Sequence, residues 1–330
     1  MKYKIGVVSL GCPKNLCDTE NMLGILADNG HRIVNDASDA EVIIVNTCAF
    51  IGDAKIESID KLLEMAQYKQ GKCKCLIATG CLAQRYSKEI PTQLPEVDAI
   101  VGTGDFPKIA QIVDDAMNGK MIIACEGKDA PVTEGLARIL TTPSHSAYIK
   151  ISEGCDNRCT YCIIPSLRGK YRSRRIEDIV AEAKELVESG VVELIVVAQD
   201  TTRYGLDLYG EYKLSELINE LCKIEELKWV RLHYMYPEAI TDELLGVIAN
   251  NDKVCKYFDI PMQHASDNIL KKMNRRNTKN QAIELINKIK GIIPNATIRT
   301  TFIVGFPGET KEEFNELREF VREMEFDRLG

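Results

Sequence analysis

Cys155, Cys159 and Cys162 put three thiols within eight residues, spaced C-x3-C-x2-C. Thiolate is the usual protein ligand of iron–sulfur clusters, and a four-iron cubane held by three cysteines keeps one iron open to a further ligand. Structural zinc instead takes four closed ligands, usually as two C-x2-C pairs, and no fourth Cys or His lies close in sequence. Cysteines that only fill a core would not need the polar residues Asp156, Asn157 and Arg158 among them. The loop therefore reads as the holder of one [4Fe–4S] cluster.

Three further cysteines share a different relation. Cys12 follows Ser9-Leu10-Gly11, Cys48 follows Val45-Asn46-Thr47, and Cys81 follows Ala78-Thr79-Gly80. Each stretch ends an apolar run that reads as a parallel strand. In open α/β sheets the carboxyl ends of the strands gather on one edge, where ligands bind. Thiols separated by 36 and 33 residues can thus converge on one point. Free Cys is often simply buried, but three at equivalent positions after small or polar residues favour a ligand set. Among the other six, Cys222 falls within an expected helix and Cys255 just before an expected strand, so both read as core or incidental. Cys17, Cys73, Cys75 and Cys125 lack the strand-end placement, and Cys73-Lys74-Cys75 reads as surface chemistry beside a lysine-rich turn.

The elements that must position these thiols alternate between strand and helix. Ile5–Leu10, Val42–Val45, Leu76–Ala78 and Ala99–Val101 read as buried strands. Between them a helix opens near Asp18-Thr19, which are capping types, and stops at Gly30. Another runs from about Asp53 to Lys69, with Ile56, Ile59, Leu62, Leu63 and Ala66 at helical spacing, and a third covers Phe106–Met117. Residues 119–146 read as a connector broken by Gly127, Pro131, Gly135 and Pro143, with a short strand at Met121–Ala124. From Ala147 the alternation restarts. Strands are expected at Ala147–Ile151, Glu193–Ala198, Trp229–His233, Tyr257–Asp259 and Thr297–Val304. Helices are expected at Ile176–Glu188, Leu214–Lys223, Asp242–Ala249, Lys279–Lys290 and Lys311–Glu323. The fold class is α/β: an N-terminal parallel-sheet domain followed by a partial TIM-like barrel. The expected division is 1–120 for the cluster-binding domain, 121–146 for a linker and 147–330 for the barrel.

The C-x3-C-x-aromatic-C loop, with Tyr161 in the aromatic place, resembles the radical S-adenosylmethionine (SAM) superfamily. With the three-cysteine domain in front of it, the whole chain resembles the methylthiotransferases, which replace a C–H hydrogen by a methylthio group. Ser9-Leu10-Gly11-Cys12-Pro13-Lys14-Asn15-Leu16, Ser152-Glu153-Gly154-Cys155 and Ile163-Ile164-Pro165-Ser166-Leu167-Arg168-Gly169 resemble the RimO type, which modifies an aspartate of ribosomal protein S-twelve. The tRNA-modifying MiaB type usually carries Gln-Met-Asn after the first cysteine. Cys17 departs from the pattern, where valine is expected. The resemblance also implies a last barrel strand and a C-terminal TRAM domain, both expected to lie beyond Gly330.

The resemblance implies two [4Fe–4S] clusters, one on Cys12, Cys48 and Cys81 and one on Cys155, Cys159 and Cys162. It implies that the second cluster binds and cleaves SAM, that the resulting 5′-deoxyadenosyl radical takes a hydrogen from the β-carbon of aspartate, and that the first cluster delivers sulfur. A second SAM supplies the methyl group. Tyr161 is then expected near the SAM adenine. Ligand residues in such barrels sit at strand ends. Gln199 and Asp200 follow the second barrel strand, Gln263 and His264 the fourth, and Gly305 to Glu309 the fifth. Each motif equally suits plain loop shaping; their common position makes them a cofactor-binding set. His264 either contacts substrate or cofactor or is simply hydrogen bonded. The run Arg168, Lys170, Arg172, Arg174, Arg175 either binds a carboxylate, of SAM or of the target aspartate, or forms a solvated face.

Composition narrows the partners. The net charge is −7, with 42 basic and 49 acidic residues. Residues 1–145 carry 15 basic and 19 acidic groups and residues 146–330 carry 27 and 30, so neither half reads as a nucleic-acid surface. An acidic enzyme suits a basic ribosomal protein. No apolar run approaches the ~20 residues that span a bilayer, and no signal peptide opens the chain, so no membrane partner and a cytoplasmic address are expected. In that reducing compartment twelve cysteines point to metal rather than disulfides. Expected partners are an electron donor such as flavodoxin or ferredoxin and a sulfur carrier. The alternatives are the same chemistry on a tRNA adenosine, and a non-catalytic iron–sulfur redox scaffold.

Overall fold

Lys4–Ser9 (β1), Arg32–Ile33 (β2), Val42–Thr47 (β3), Cys75–Gly80 (β4), Ala99–Val101 (β5) and Ile122–Ala124 (β6) form one parallel sheet in the computed structural model, which describes residues 2–330. The strand order is β2-β1-β3-β4-β5-β6, so the winding reverses between β1 and β3. Every residue of β3 and β4 is buried, as a parallel sheet covered on both faces requires. Alternate residues serve opposite cores. Ile43, Val45, Leu76, Ala78 and Ile100 pack with Leu62 and Met65 on one face. Val42, Ile44, Ile77, Ala99 and Val101 pack with Met22, Leu26, Ile109 and Val113 on the other.

Two helices depart from expectation. The first, Pro13–Asp28 (α1), begins five residues before Asp18, with Cys12 as its N-cap. Pro13 sits inside the first turn, where its missing N–H costs nothing. Asp18 and Thr19 are therefore mid-helix and buried, and Thr19 Oγ bonds Ser9 Oγ at 2.9 Å instead of capping. The second, Gly52–Ala66 (α2), buries Ser58, Leu62 and Met65 but leaves Ile56, Ile59 and Leu63 exposed. Apolar spacing alone does not say which edge of a stripe meets the sheet.

The chain divides into two compact units: residues up to Thr141 together with Ile163–Lys170, and Thr142–Cys162 together with Tyr171–Gly330. Within the first unit, β6 pairs with β5, and the Glu20 carboxylate on α1 gathers the segment after it. Glu20 accepts from Arg138 at 2.6 Å and from both the backbone N–H and the hydroxyl of Thr141. Gly24 lets that segment lie on α1, since a Cβ there would stand 2.1 Å from the Ala137 carbonyl oxygen.

In the second unit, Ser146–Lys150 (β7) opens the barrel arc, and the short antiparallel pair Ser152–Glu153 (β8) and Arg172–Ser173 (β9) brackets the cysteine loop in sequence. Glu193–Val197 (β10), Trp229–Leu232 (β11), Tyr257–Asp259 (β12) and Thr297–Thr300 (β13) follow, each parallel to its ladder neighbour. The ladders run β11-β10-β7 and β12-β13-β14, the last strand, β14, being Arg328–Leu329. Met235 N–H donates to the Asp259 carbonyl at 2.8 Å between the two ladders. Helices Ile176–Glu188, Leu214–Cys222, Asp242–Asn250, Lys279–Ile292 and Lys311–Met324 alternate with the strands. Reciprocal capping boxes, Thr278 with Gln281 and Thr310 with Glu313, start the last two. One expectation is corrected: a sixth strand is present, since Arg299 and Thr300 pair in parallel with Arg328 and Leu329. Two residues are too few to show a strand period.

Candidate functional site

In the first unit, Cys12, Cys48 and Cys81 follow β1, β3 and β4 at one edge of the sheet. Cys12 and Cys48 flank the point where the strand order reverses, which is where open α/β sheets form their crevice. Two glycines make the approach. Gly11 has φ +88°, and a Cβ on it would lie 2.8 Å from Cys48 Cβ and 3.1 Å from its sulfur. Gly80 has φ +89°, and a Cβ there would lie 2.2 Å from Asn46 Oδ1.

Asn15, in the first turn of α1, ties the three loops together. Its amide donates to the carbonyls of Leu10 at 3.1 Å and Thr47 at 3.0 Å, and Cys81 Sγ stands 3.7 Å from its Oδ1. Asn46 Nδ2 donates back to the Asn15 carbonyl at 2.8 Å. Thr47 Oγ donates to the Thr79 carbonyl at 2.5 Å, and Ser58 Oγ accepts from the Cys48 N–H at 2.9 Å. The buried Arg168 guanidinium donates to Asn15 Oδ1 and, at 3.1 Å, to Asp18 Oδ2. Its charge favours the thiolate at all three cysteines. Burial raises the Cys48 and Cys81 pKa values. Burial pushes Cys12 the same way, but Lys14, Arg168 and the N–H groups of Asn15 and Lys14 together bring it below its ordinary value.

In the second unit the cysteine loop is held from several sides. Asn157 Nδ2 donates to Asp200 Oδ2 at 2.8 Å, and Arg203 donates to Asn157 Oδ1 at 3.1 Å. Arg158 takes φ +52°, and its carbonyl accepts from Asn274 Nδ2 at 3.0 Å. Thr160 N–H donates to the Met273 carbonyl at 3.1 Å. Cys159 Sγ lies 2.9 Å from the Tyr236 hydroxyl, and the Arg275 guanidinium stacks 4.0 Å above the Tyr236 ring. Cys155 interacts electrostatically with Cys159 and Cys162, and burial pushes its thiol up to about 12. Burial likewise raises the Tyr161 hydroxyl, and the charge of Cys159 adds to the rise. A thiol raised as far as that of Cys155 stays protonated at neutral pH unless a metal draws the proton off.

Both triads suit thiophilic metal. Among the described residues no three Cys, His, Asp or Glu side chains close on one point tightly enough for a single ion. Three thiols are the donor set of a cubane with one open iron, whereas structural zinc takes four closed ligands.

The remaining expected residues divide by what they touch. Gln199 Nε2 donates to Glu153 Oε1 at 2.8 Å, while its buried Oε1 has no partner. Asp200 is fully buried, accepts from Thr202 at 2.7 Å and has its pKa raised by burial. Gln263 takes φ +74° and pairs through its backbone with Thr301. His264 Nδ1 accepts from Ser266 N–H at 2.9 Å, and its Nε2 lies 3.4 Å from Glu309 Oε1. Glu309 Oε2 accepts from the N–H groups of Gly305 and Phe306 at 2.5 and 3.0 Å, stapling its own loop. Gly305 has φ +72° with open space where a Cβ would be, so a ligand can approach its backbone. The basic run does not act as a unit. Arg174 is buried against Glu182 and the Lys150 carbonyl, and Arg175 is exposed beside Asp178. Cys73 and Cys75 are both buried, which corrects their reading as surface groups.

Asn15, Tyr236 and Arg275 escaped the sequence reading. Tyr236 closes the polar and aromatic stretch His233-Tyr234-Met235-Tyr236 after β11, a strand-end signal of the same kind as Gln199-Asp200. Arg275 sits in Asn274-Arg275-Arg276-Asn277, which reads as solvated surface.

Residues 149–321 match the family described as the radical SAM superfamily, and residues 4–102 match the uncharacterized protein family UPF0004. The chain is 56% identical over 328 residues to the ribosomal protein uS12 methylthiotransferase RimO of Clostridioides difficile, covering 99% of this chain and 74% of that one. It is 52% identical over 326 residues to the protein of the same name from a Thermoanaerobacter species, again covering 99% and 74%. The Clostridium novyi counterpart is 56% identical over 330 residues, covering 100% and 74%. Among solved structures, the radical SAM methyltransferase TsrM of Kitasatospora setae superposes with a TM-score of 0.72 at 14% identity, covering 99% of this chain and 72% of that one. The cobalamin-dependent SAM radical enzyme OxsB gives 0.67 at 12%, covering 97% and 52%. These two likenesses bear on the fold alone.

Proposed function

The chain belongs to the radical SAM methylthiotransferases of the RimO type, and from that premise we propose how its residues divide the work. It is a transferase acting on ribosomal protein uS12, and it uses SAM with two [4Fe–4S] clusters. In our reading Cys155, Cys159 and Cys162 hold the SAM-binding cluster, and Cys12, Cys48 and Cys81 hold the other. The observation that carries this reading is the presence of two separate thiol triads, one on three loops at the carboxyl ends of parallel strands and one on the single loop that follows β7 and β8.

When bound, these groups supply radical hydrogen abstraction from an unactivated carbon and delivery of sulfur, neither of which a side chain offers at neutral pH. The protein's own part is geometric and electrostatic. Asn157, Asn274 and Thr160 fix the second cysteine loop against Asp200 and the Met273 turn. Gln199 is oriented by Glu153, which Lys150 pairs at 2.8 Å, and its buried carbonyl oxygen, which has no partner, is the acceptor we assign to the cofactor. Gly305 offers its backbone to SAM, while Glu309 and His264 hold that loop in shape. Tyr161 and Gln263 complete the SAM side, with Asp200 as the anchor beneath it.

The atom modified is read as the β-carbon of an aspartate. The relatives described above are named for uS12, which favours the protein substrate over a tRNA adenosine. A low-potential donor such as flavodoxin or ferredoxin, and a sulfur carrier, complete the reaction. No helix among the described residues is long and apolar enough to cross a membrane. We propose a cytoplasmic address, which a ribosomal protein substrate supports. The test supplies uS12 or tRNA with SAM, sulfide and a reductant, and reads the mass of each. A methylthio increment on uS12 is expected. An increment on tRNA alone would overturn the substrate, and failure to form 5′-deoxyadenosine would revive the non-catalytic scaffold.

A further inference from the structure

We propose that Arg168 is the counter-cation of the Cys12–Cys48–Cys81 cluster and sets its reduction potential. The proposal rests on the assignment of that triad to a cluster.

Arg168 closes the short helix Ile164–Arg168, just after the second cysteine loop in sequence, yet its side chain is buried in the first unit and is 3% exposed. Its guanidinium bonds Oδ1 of Asn15, the residue that ties the β1, β3 and β4 loops, and Cys81 Sγ stands 3.7 Å from that same oxygen. The Arg168 charge favours the thiolate at all three cysteines, and Lys14 does the same at Cys12. A rigid planar fork suits such a place better than a flexible ammonium. Three deprotonated thiolates on a cluster make a buried anion, and one-electron reduction adds a further negative charge. Net charge and hydrogen bonds to sulfur are among the factors that set a cluster's potential. A fixed cation favours the reduced form, and it equally favours an added anionic sulfide. Asp18, buried at 3.1 Å from Arg168, tempers that charge.

This pair gives the test its discrimination. Arg168→Gln removes a cation from the site, while Asp18→Asn removes an anion. Electrostatic tuning shifts the potential in opposite directions. A purely structural role breaks the same contact in both variants and moves them alike. The full chain carrying Cys155→Ala, Cys159→Ala and Cys162→Ala isolates the first cluster. It is reconstituted without oxygen, its iron is counted, and its reduction is titrated by electron paramagnetic resonance. The expected result is about four irons per chain in every variant. Arg168→Gln should disfavour reduction by at least tenfold, a shift of about 59 mV for one electron. Asp18→Asn should favour it, and Arg168→Lys should stay near the parent. About four irons with unmoved potentials, or with both variants shifted the same way, would overturn the role of Arg168 and leave the cluster standing. No iron in the parent of this series would overturn the cluster assignment and the proposal with it.

Discussion

Gly80→Ala is the substitution whose cost can be worked most fully, because it joins the fold to the first triad. Gly80 has φ +89° and ψ −154°, a region open almost only to glycine. Backbone strain there costs about 1–3 kcal/mol. The added Cβ would also lie 2.2 Å from Asn46 Oδ1 and 2.7 Å from the Thr47 carbonyl oxygen. Overpacking of that kind in a buried site costs about 1–3 kcal/mol more. The sum, about 2–6 kcal/mol, is a large part of the 5–15 kcal/mol that typically holds a domain together. The damage should also reach the site. Displacing Asn46 loosens its bond to the Asn15 carbonyl, and Asn15 ties the three cysteine loops. Gly119 supplies the comparison, with φ +80° but nothing within 4 Å of a Cβ. Gly119→Ala should cost only the backbone term, about 1–2 kcal/mol. Urea unfolding of the apoprotein gives both energies, and iron analysis after reconstitution reads the site. Gly80→Ala should lose at least 1 kcal/mol more than Gly119→Ala and should hold about half the iron of the parent. Equal stabilities with full iron in both would refute the reasoning.

Other outcomes can be checked alongside. Glu20→Ala should destabilise the first unit by about 3–5 kcal/mol in urea melts, because it leaves the buried Arg138 without its carboxylate. Tyr236→Phe removes the hydroxyl 2.9 Å from Cys159 Sγ. A hydrogen bond to a charged group is worth about 1.5–3 kcal/mol, so the potential of the second cluster should fall when measured with Cys12, Cys48 and Cys81 replaced. His31 is buried against Tyr3 with neither ring nitrogen bonded, and burial lowers its pKa from the ordinary 6.5. Below that value the unfolded chain binds the proton first, so stability should be full above about pH 6.5 and decline as the pH falls. His31→Phe should flatten that slope, and an unchanged slope would count against a neutral buried imidazole.

Much of this architecture was legible because it rests on period and position. The apolar runs at Val42, Leu76 and Ala99 mark buried parallel strands, and strand alternation is enough to bring Cys12, Cys48 and Cys81 to one edge. What escaped depends on tertiary partners. Pro13 suits a helix start but follows a cysteine rather than a capping type, so the start of α1, five residues before Asp18, was hidden. Arg168 looks like part of a solvated basic run until Asp18 and Asn15, some 150 residues away, receive its guanidinium. Glu309 reads as a ligand, yet its carboxylate is engaged by the N–H groups of its own turn. Charged side chains show their chemistry in sequence but not their partners.

The most direct measurement counts iron and sulfide in the anaerobically reconstituted chain, beside a variant with Cys12, Cys48 and Cys81 changed to alanine, and follows both products. Two cubanes predict about eight irons in the parent and about four in the variant. The variant should still cleave SAM to 5′-deoxyadenosine but transfer no methylthio group to uS12. About four irons in both proteins, or methylthio transfer by the variant, would contradict the assignment of the first triad as the sulfur-delivering cluster.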